Sequence, residues 1–166
     1  MGVYFNPSNA SFRQAKNSRI YVDKTKLIEY LNDRLSTEDK CLAVSHARWF
    51  GKSHAAGMID AYYSLGCDST ELFDGTKISE SADYKKYMNK YNVIHLDIAS
   101  VWDFHKEDLV ESIKERVCKD FKKKYNDTLD YSQDLYLLIQ EIYEITDTQF
   151  VIIIDEWDCV IRNSDN

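Results

Sequence analysis

The sequence has one proline and five glycines among its 166 residues. That excludes collagen-like and glycine/proline low-complexity structures, and it argues against a turn-rich β sandwich. Basic residues are outnumbered 21 to 28, for a formal net charge of −7. Such a chain is a poor bulk partner for nucleic acid or an anionic membrane surface. No apolar run reaches the roughly 18 residues of a membrane span, so no membrane partner is expected. No charged segment followed by an apolar stretch opens the chain, so no secretory signal is visible. The four cysteines, at 41, 67, 118 and 159, are irregularly spaced and form no Cys-x-x-Cys. Zinc and disulfide readings are weak on that spacing. Reduced thiols of a cytoplasmic protein are expected instead, with Cys41 and Cys159 in the core.

What is present suits a globular core: 44% of the residues are hydrophobic and 13% aromatic. The length corresponds to about one domain. Residues 1–38 read as a polar N-terminal segment followed by a helix that Asp23 can cap, with Leu27, Ile28, Leu31 and Leu35 on its apolar face. Residues 40–65 read as a strand at Cys41-Leu42-Ala43-Val44, then a loop, then a helix over 54–65 that ends at Gly66. Residues 67–91 form a polar insertion with a short helix using Tyr84, Tyr87, Met88 and Tyr91. Residues 92–166 supply a half-polar strand over 93–98 and helices over 106–124 and 133–146. Val110, Ile113, Val117 and Phe121 face inward on the first of these helices, and Leu135, Leu138, Ile139 and Ile142 on the second. A fully apolar strand follows at 150–154. Strands alternating with helices predict an α/β fold with a parallel sheet.

Two motifs carry chemistry. Gly51-Lys52-Ser53 lies between an expected strand and an expected helix, the place of a phosphate-binding loop. A helix N-terminus offers N–H groups and the positive end of its dipole to an anion. Gly51 lets the backbone approach the phosphates, Lys52 reaches the β- and γ-phosphates, and the Ser53 hydroxyl ligates Mg²⁺. The full pattern asks for another glycine five residues before Gly51, where His46 stands. The second motif is the apolar run ending in Asp155-Glu156, which looks like a Walker B strand. Asp155 would hold Mg²⁺ and Glu156 would position and deprotonate the attacking water. Together the motifs predict a P-loop NTPase, a three-layer α/β/α fold binding ATP and Mg²⁺.

The sequence resembles the bacterial and archaeal AAA-ATPase-like proteins, an ATPase domain often followed by a PD-(D/E)XK nuclease-like region. The resemblance rests on Tyr21-Val22-Asp23-Lys24-Thr25, on Arg48-Trp49-Phe50-Gly51-Lys52-Ser53, on Leu72-Phe73-Asp74-Gly75 with Ile78, on Val93-Ile94-His95-Leu96-Asp97 and on Ile154-Asp155-Glu156-Trp157-Asp158. It implies nucleotide contacts from the whole block of Arg48, Trp49, Phe50, Gly51, Lys52 and Ser53, and it makes His46 less damaging, because these proteins commonly lack the first glycine. Trp49 departs from the usual second arginine, which sets a non-hydrolytic nucleotide switch or a protein-interaction fragment beside an ATPase as readings. Nucleic acid enters as a partner only through this resemblance, and no nuclease motif is present.

A glutamate directly after the Walker B aspartate resembles the NTPase division that uses a catalytic glutamate, and that resemblance implies the sheet order 5-1-4-3-2, in which the strands over 93–98 and 150–154 stand second and third and so are neighbours. A topology with the two motif strands adjacent remains an alternative. In the first order a middle strand would still be missing after Asp155. The chain is therefore expected to be the N-terminal portion of an ATPase domain, completed by a C-terminal part of its own protein or by a homo-oligomer. Four weaker candidates read as ordinary structure. His95 and Asp97 suit an edge strand, His54 a helix surface, the Lys114–Lys124 basic stretch a solvated helix face, and Trp157 a packing residue.

Overall fold

Two of the three expected strands form, and they pair with each other. The computed structural model describes residues 1–45, 50–104 and 107–163. It divides into two units, Ser8–Lys90 and a second made of Met1–Pro7 with Tyr91–Asn166.

In the first unit, α1 (Ala10–Lys16) lies against α3 (Lys52–Tyr63). Gly57 marks this crossing, since a Cβ there would come within 2.8 Å of Ser11 Oγ. Phe12 is buried and stacks on Phe73, with ring centroids 4.8 Å apart. α2 (Lys26–Asn32) buries Ile28 and Asn32. A buried amide is costly without partners. The Tyr63 hydroxyl donates to Asn32 Oδ1 at 2.6 Å, and the Asn32 amide donates to the Tyr62 hydroxyl at 3.3 Å.

After α4 (Thr70–Phe73) and a 3₁₀ turn at Lys77–Glu80 the chain departs from expectation. No helix forms around Tyr84, Tyr87, Met88 and Tyr91; the segment runs as turns with Tyr84 and Met88 buried. Asn89 supplies the reason. It sits in the left-handed region at φ 56°, and its amide donates to the carbonyls of Ala61 and Ser64, both at 3.0 Å. The segment therefore caps the end of α3 rather than coiling on its own.

The expected strand at Cys41-Leu42-Ala43-Val44 is likewise not formed: these residues are irregular and exposed, Val44 at 62%. A short apolar run becomes a buried strand only when a neighbour satisfies its backbone. Cys41, expected in the core, is exposed with it.

The second unit runs β1 (Asn92–Asp97), α5 (Ile98–Trp102), α6 (Leu109–Tyr125), α7 (Leu135–Thr146), β2 (Phe150–Asp155) and α8 (Cys159–Asn163). β1 and β2 are parallel, in register from Asn92 opposite Phe150 to Asp97 opposite Asp155. The expected adjacency of these two strands thus holds, and the helices between them form the crossover that parallel pairing requires. The fold of this unit is mixed α/β. β1 is also bridged by the chain start: Phe5 pairs antiparallel with Ile94, and the His95 amide donates to the Tyr4 carbonyl at 2.9 Å.

The core gathers Phe5, Ile94, Val117, Phe121, Leu138 and Ile142. The helical spacing of α6 and α7 aims their apolar residues at it. Val110, expected inward, is 80% exposed, because it stands in the first turn of α6, beyond the cluster around Val117 and Phe121. Ile152 and Ile154 of β2 are half-exposed, since β1 is that strand's sheet neighbour among the described residues. Cys159 is buried, as expected. No helix among the described residues is long and apolar enough to cross a membrane.

One carboxylate anchors the chain start. Asp120 Oδ2 accepts from the amides of Val3, Tyr4 and Phe5 at 2.7, 2.8 and 3.3 Å, and its Oδ1 accepts from Lys123 Nζ at 2.8 Å. Burial opposes its ionisation, but the Lys123 ammonium and the backbone amides outweigh burial and hold the carboxyl below its ordinary range. Asp120→Ala leaves these buried donors without their acceptor and is expected to destabilise the chain by about 1–3 kcal/mol in denaturant unfolding. Because the folded pKa is depressed, the stabilisation is present above the unfolded pKa of about 4 and is lost as pH falls through the folded value. Asp120→Asn should therefore flatten the acid limb of stability against pH.

Candidate functional site

The residues that carry the two motifs fall in different units, and each set has its own local geometry. In the first unit, Gly51 is the N-cap of α3 and adopts φ 76°, ψ 39°. That left-handed conformation is strained for any residue with a Cβ and open to glycine. Its carbonyl accepts the Ala55 amide at 3.0 Å, so the helix begins immediately and Lys52 and Ser53 stand in its first turn. The first N–H groups of a helix have no acceptor within the helix. No acidic residue stands in this first turn. Ser53 and His54 are exposed, and Lys52 is half-buried. His46, Arg48 and Trp49 lie outside the described residues, while Phe50 is exposed.

A second lysine meets this turn. Lys24 Nζ donates to the Phe50 carbonyl, and it lies 3.2 Å from where a Cβ on Gly51 would stand. Lys24 is delivered by its flanking residues. Asp23 does not cap α2 as expected: the N-cap position is Thr25, without a side-chain bond to the helix. Instead Asp23 Oδ1 accepts from the Thr25 amide at 2.8 Å and the Thr25 hydroxyl at 2.7 Å, and Oδ2 accepts from the Lys77 amide at 2.9 Å. Thr25, fully buried, accepts the Ile78 amide on Oγ1 at 3.0 Å. Burial raises the Asp23 pKa, but the Thr25 and Lys77 bonds prevail and the carboxyl titrates below its ordinary range.

In the second unit, the carboxyl ends of the paired strands carry acids. Asp97 and Asp155 are register partners, so they are neighbours on one face of the sheet. Asp97 Oδ1 accepts the Ser100 amide at 3.2 Å, capping α5, and Asp155 Oδ1 accepts the Glu156 amide at 3.0 Å. Glu156 adopts φ 50°, a left-handed conformation that costs a non-glycine residue about 1–2 kcal/mol. Its Oε2 accepts from Arg162 at 2.8 Å. Arg162 is itself clamped by Asp158, which accepts from Nε at 2.9 Å and from a terminal nitrogen at 3.3 Å. Burial, then the carboxylates of Asp158, Asp103, Asp97 and Glu156, push the Cys159 thiol up, which records the negative potential at this strand end. Trp157, expected to pack, is 58% exposed. No group of three or more acidic, histidine or cysteine side chains that could hold a metal occurs among the described residues.

The structure therefore brings Gly51, Lys52 and Ser53 together at one helix start, and Asp155 and Glu156 together at one strand end. Sequence reasoning gave Lys24, Asp158 and Arg162 no role. The last two stand four residues apart, Asp158 just before α8 and Arg162 on it, a spacing that pairs opposite charges at a helix start and was open to detection; Lys24 offered no such charge-pair signal.

The family model described as "AAA-ATPase_like: Predicted AAA-ATPase" matches residues 10–164, and the chain belongs to that family. No curated protein and no solved structure matches the chain significantly.

Proposed function

We propose that the chain binds ATP with Mg²⁺ and hydrolyses it, as part of a P-loop ATPase domain with a three-layer α/β/α architecture. The observation that carries this reading is the start of α3: a left-handed Gly51, then Lys52 and Ser53, with no acid in the first turn. Backbone amides and the helix dipole there attract a phosphate, and the Lys52 ammonium adds a charge-assisted bond. Arg48, Trp49 and Phe50 would complete the loop. Ser53 in the first unit and Asp155 in the second are the proposed Mg²⁺ ligands, and the ion would neutralise charge on the phosphates. One feature fits such an ion: the like-charged register partners Asp97 and Asp155, whose repulsion a cation would relieve. Glu156 accepts the proton of the attacking water.

The Arg162 pair favours a second reading, nucleotide binding with little turnover, because the guanidinium already occupies the Glu156 oxygen Oε2 that an attacking water would need. Calorimetry of the chain with ATP and Mg²⁺ tests binding: heat that ADP competes away is the expected result, and its absence refutes both readings. Phosphate release then separates them.

A further inference from the structure

We propose that Lys24 is a positioning residue of the phosphate loop, holding the Phe50 carbonyl so that the backbone of residues 51–53 presents its donors to the nucleotide. The inference rests on the phosphate-binding reading of that loop.

Three observations converge on it. The ammonium of Lys24 donates to the Phe50 carbonyl, immediately before the left-handed glycine. A peptide carbonyl beside an anion is repulsive, and an ammonium placed on it offsets its negative end. The backbone around Lys24 is held from both sides: Asp23 and Thr25 bind the 3₁₀ turn through the Lys77 and Ile78 amides, and the Lys24 carbonyl accepts the Leu27 amide at 3.0 Å. What remains adjustable is the lysine side chain. Both Asp23 oxygens are also engaged by other donors, so the adjacent carboxylate is occupied away from the ammonium.

Lysine is suited to this task because its ammonium carries three donors. One on Phe50 leaves the same group able to add positive potential beside Gly51, within the 3.2 Å that separates Nζ from a Cβ position there.

The test is ATP·Mg²⁺ affinity by calorimetry for the wild-type chain and for Lys24→Met, Lys24→Arg and Lys52→Ala, each also melted without nucleotide. Lys24→Met is expected to weaken ATP binding about tenfold or more, the loss of one charge-assisted bond. Its melting temperature without nucleotide should match the wild type, and Lys24→Arg should recover most of the affinity. If Lys52→Ala weakens binding and Lys24→Met does not, the role of Lys24 is overturned while the phosphate-loop reading stands. A Lys24→Met chain that loses melting temperature and affinity together, without recovery in Lys24→Arg, also overturns it, since the lysine is then merely structural. If ATP gives no heat, or Lys52→Ala binds as wild type, the phosphate-loop reading falls and the role of Lys24 falls with it.

Discussion

Lys52→Ala is expected to weaken ATP binding by about a hundredfold or more, with little change in the melting temperature of the nucleotide-free chain. The size follows from what the side chain does in the proposed site. Its ammonium reaches two phosphate groups, and charge-assisted bonds contribute about 1.5–3 kcal/mol each. Two such bonds correspond to at least two orders of magnitude in affinity. Stability should be largely untouched because Lys52 is the first residue of α3 and is not in the core, which this helix supplies with Met58, Ala61, Tyr62 and Tyr63. Alanine is also the better helix former. The contrast is Lys119→Ala: an exposed lysine on α6, in the other unit, whose loss changes the net charge equally but should leave affinity within a factor of two or three. Equal losses in both variants would show that binding follows overall charge, and the loop would lose its special role.

Several parts of this structure were legible in the sequence, and the reason differs from part to part. α6, α7, β1 and β2 lie close to their expected ranges because long periodic or apolar runs report burial directly. The adjacency of the two strands came only through the sheet order that the resemblance implies. The strand at Cys41-Leu42-Ala43-Val44 was misread because composition states a preference for burial and says nothing about a partner; the exposed Leu42 and Val44 have none of the cover that a central strand needs.

Other features were hidden by distance along the chain. Phe5 enters the core and its segment is held by Asp120, 115 residues away, so no local window could reveal that a polar-looking start bridges β1. Lys24 and Phe50 are 26 residues apart and meet only once α2 and α3 are placed. The acidic strand end shows the same division. Asp155 and Glu156 were readable as a pair, whereas the left-handed turn of Glu156 and its engagement by Arg162 are properties of the fold.

Glu156→Gln is expected to lower steady-state phosphate release by roughly two to four orders of magnitude while ATP affinity stays near wild type, the signature of a lost general base. Glutamine keeps the shape and an acceptor oxygen but cannot take a proton. The folded chain should tolerate the change, because the Glu156–Arg162 pair is about one-third exposed on each side and contributes on the order of 1 kcal/mol or less. Arg162 makes the experiment sharper. If the guanidinium keeps Glu156 Oε2 from the attacking water, Arg162→Met raises turnover in the wild-type background, yet it changes nothing once Glu156 is glutamine, because the proton acceptor is gone. That non-additivity is what a double-mutant cycle measures for groups acting on one step. A contribution of Arg162 to folding alone would produce the same change in both backgrounds. Turnover that survives Glu156→Gln would remove this residue from the chemistry and would leave the strain at its φ of 50° without a catalytic explanation.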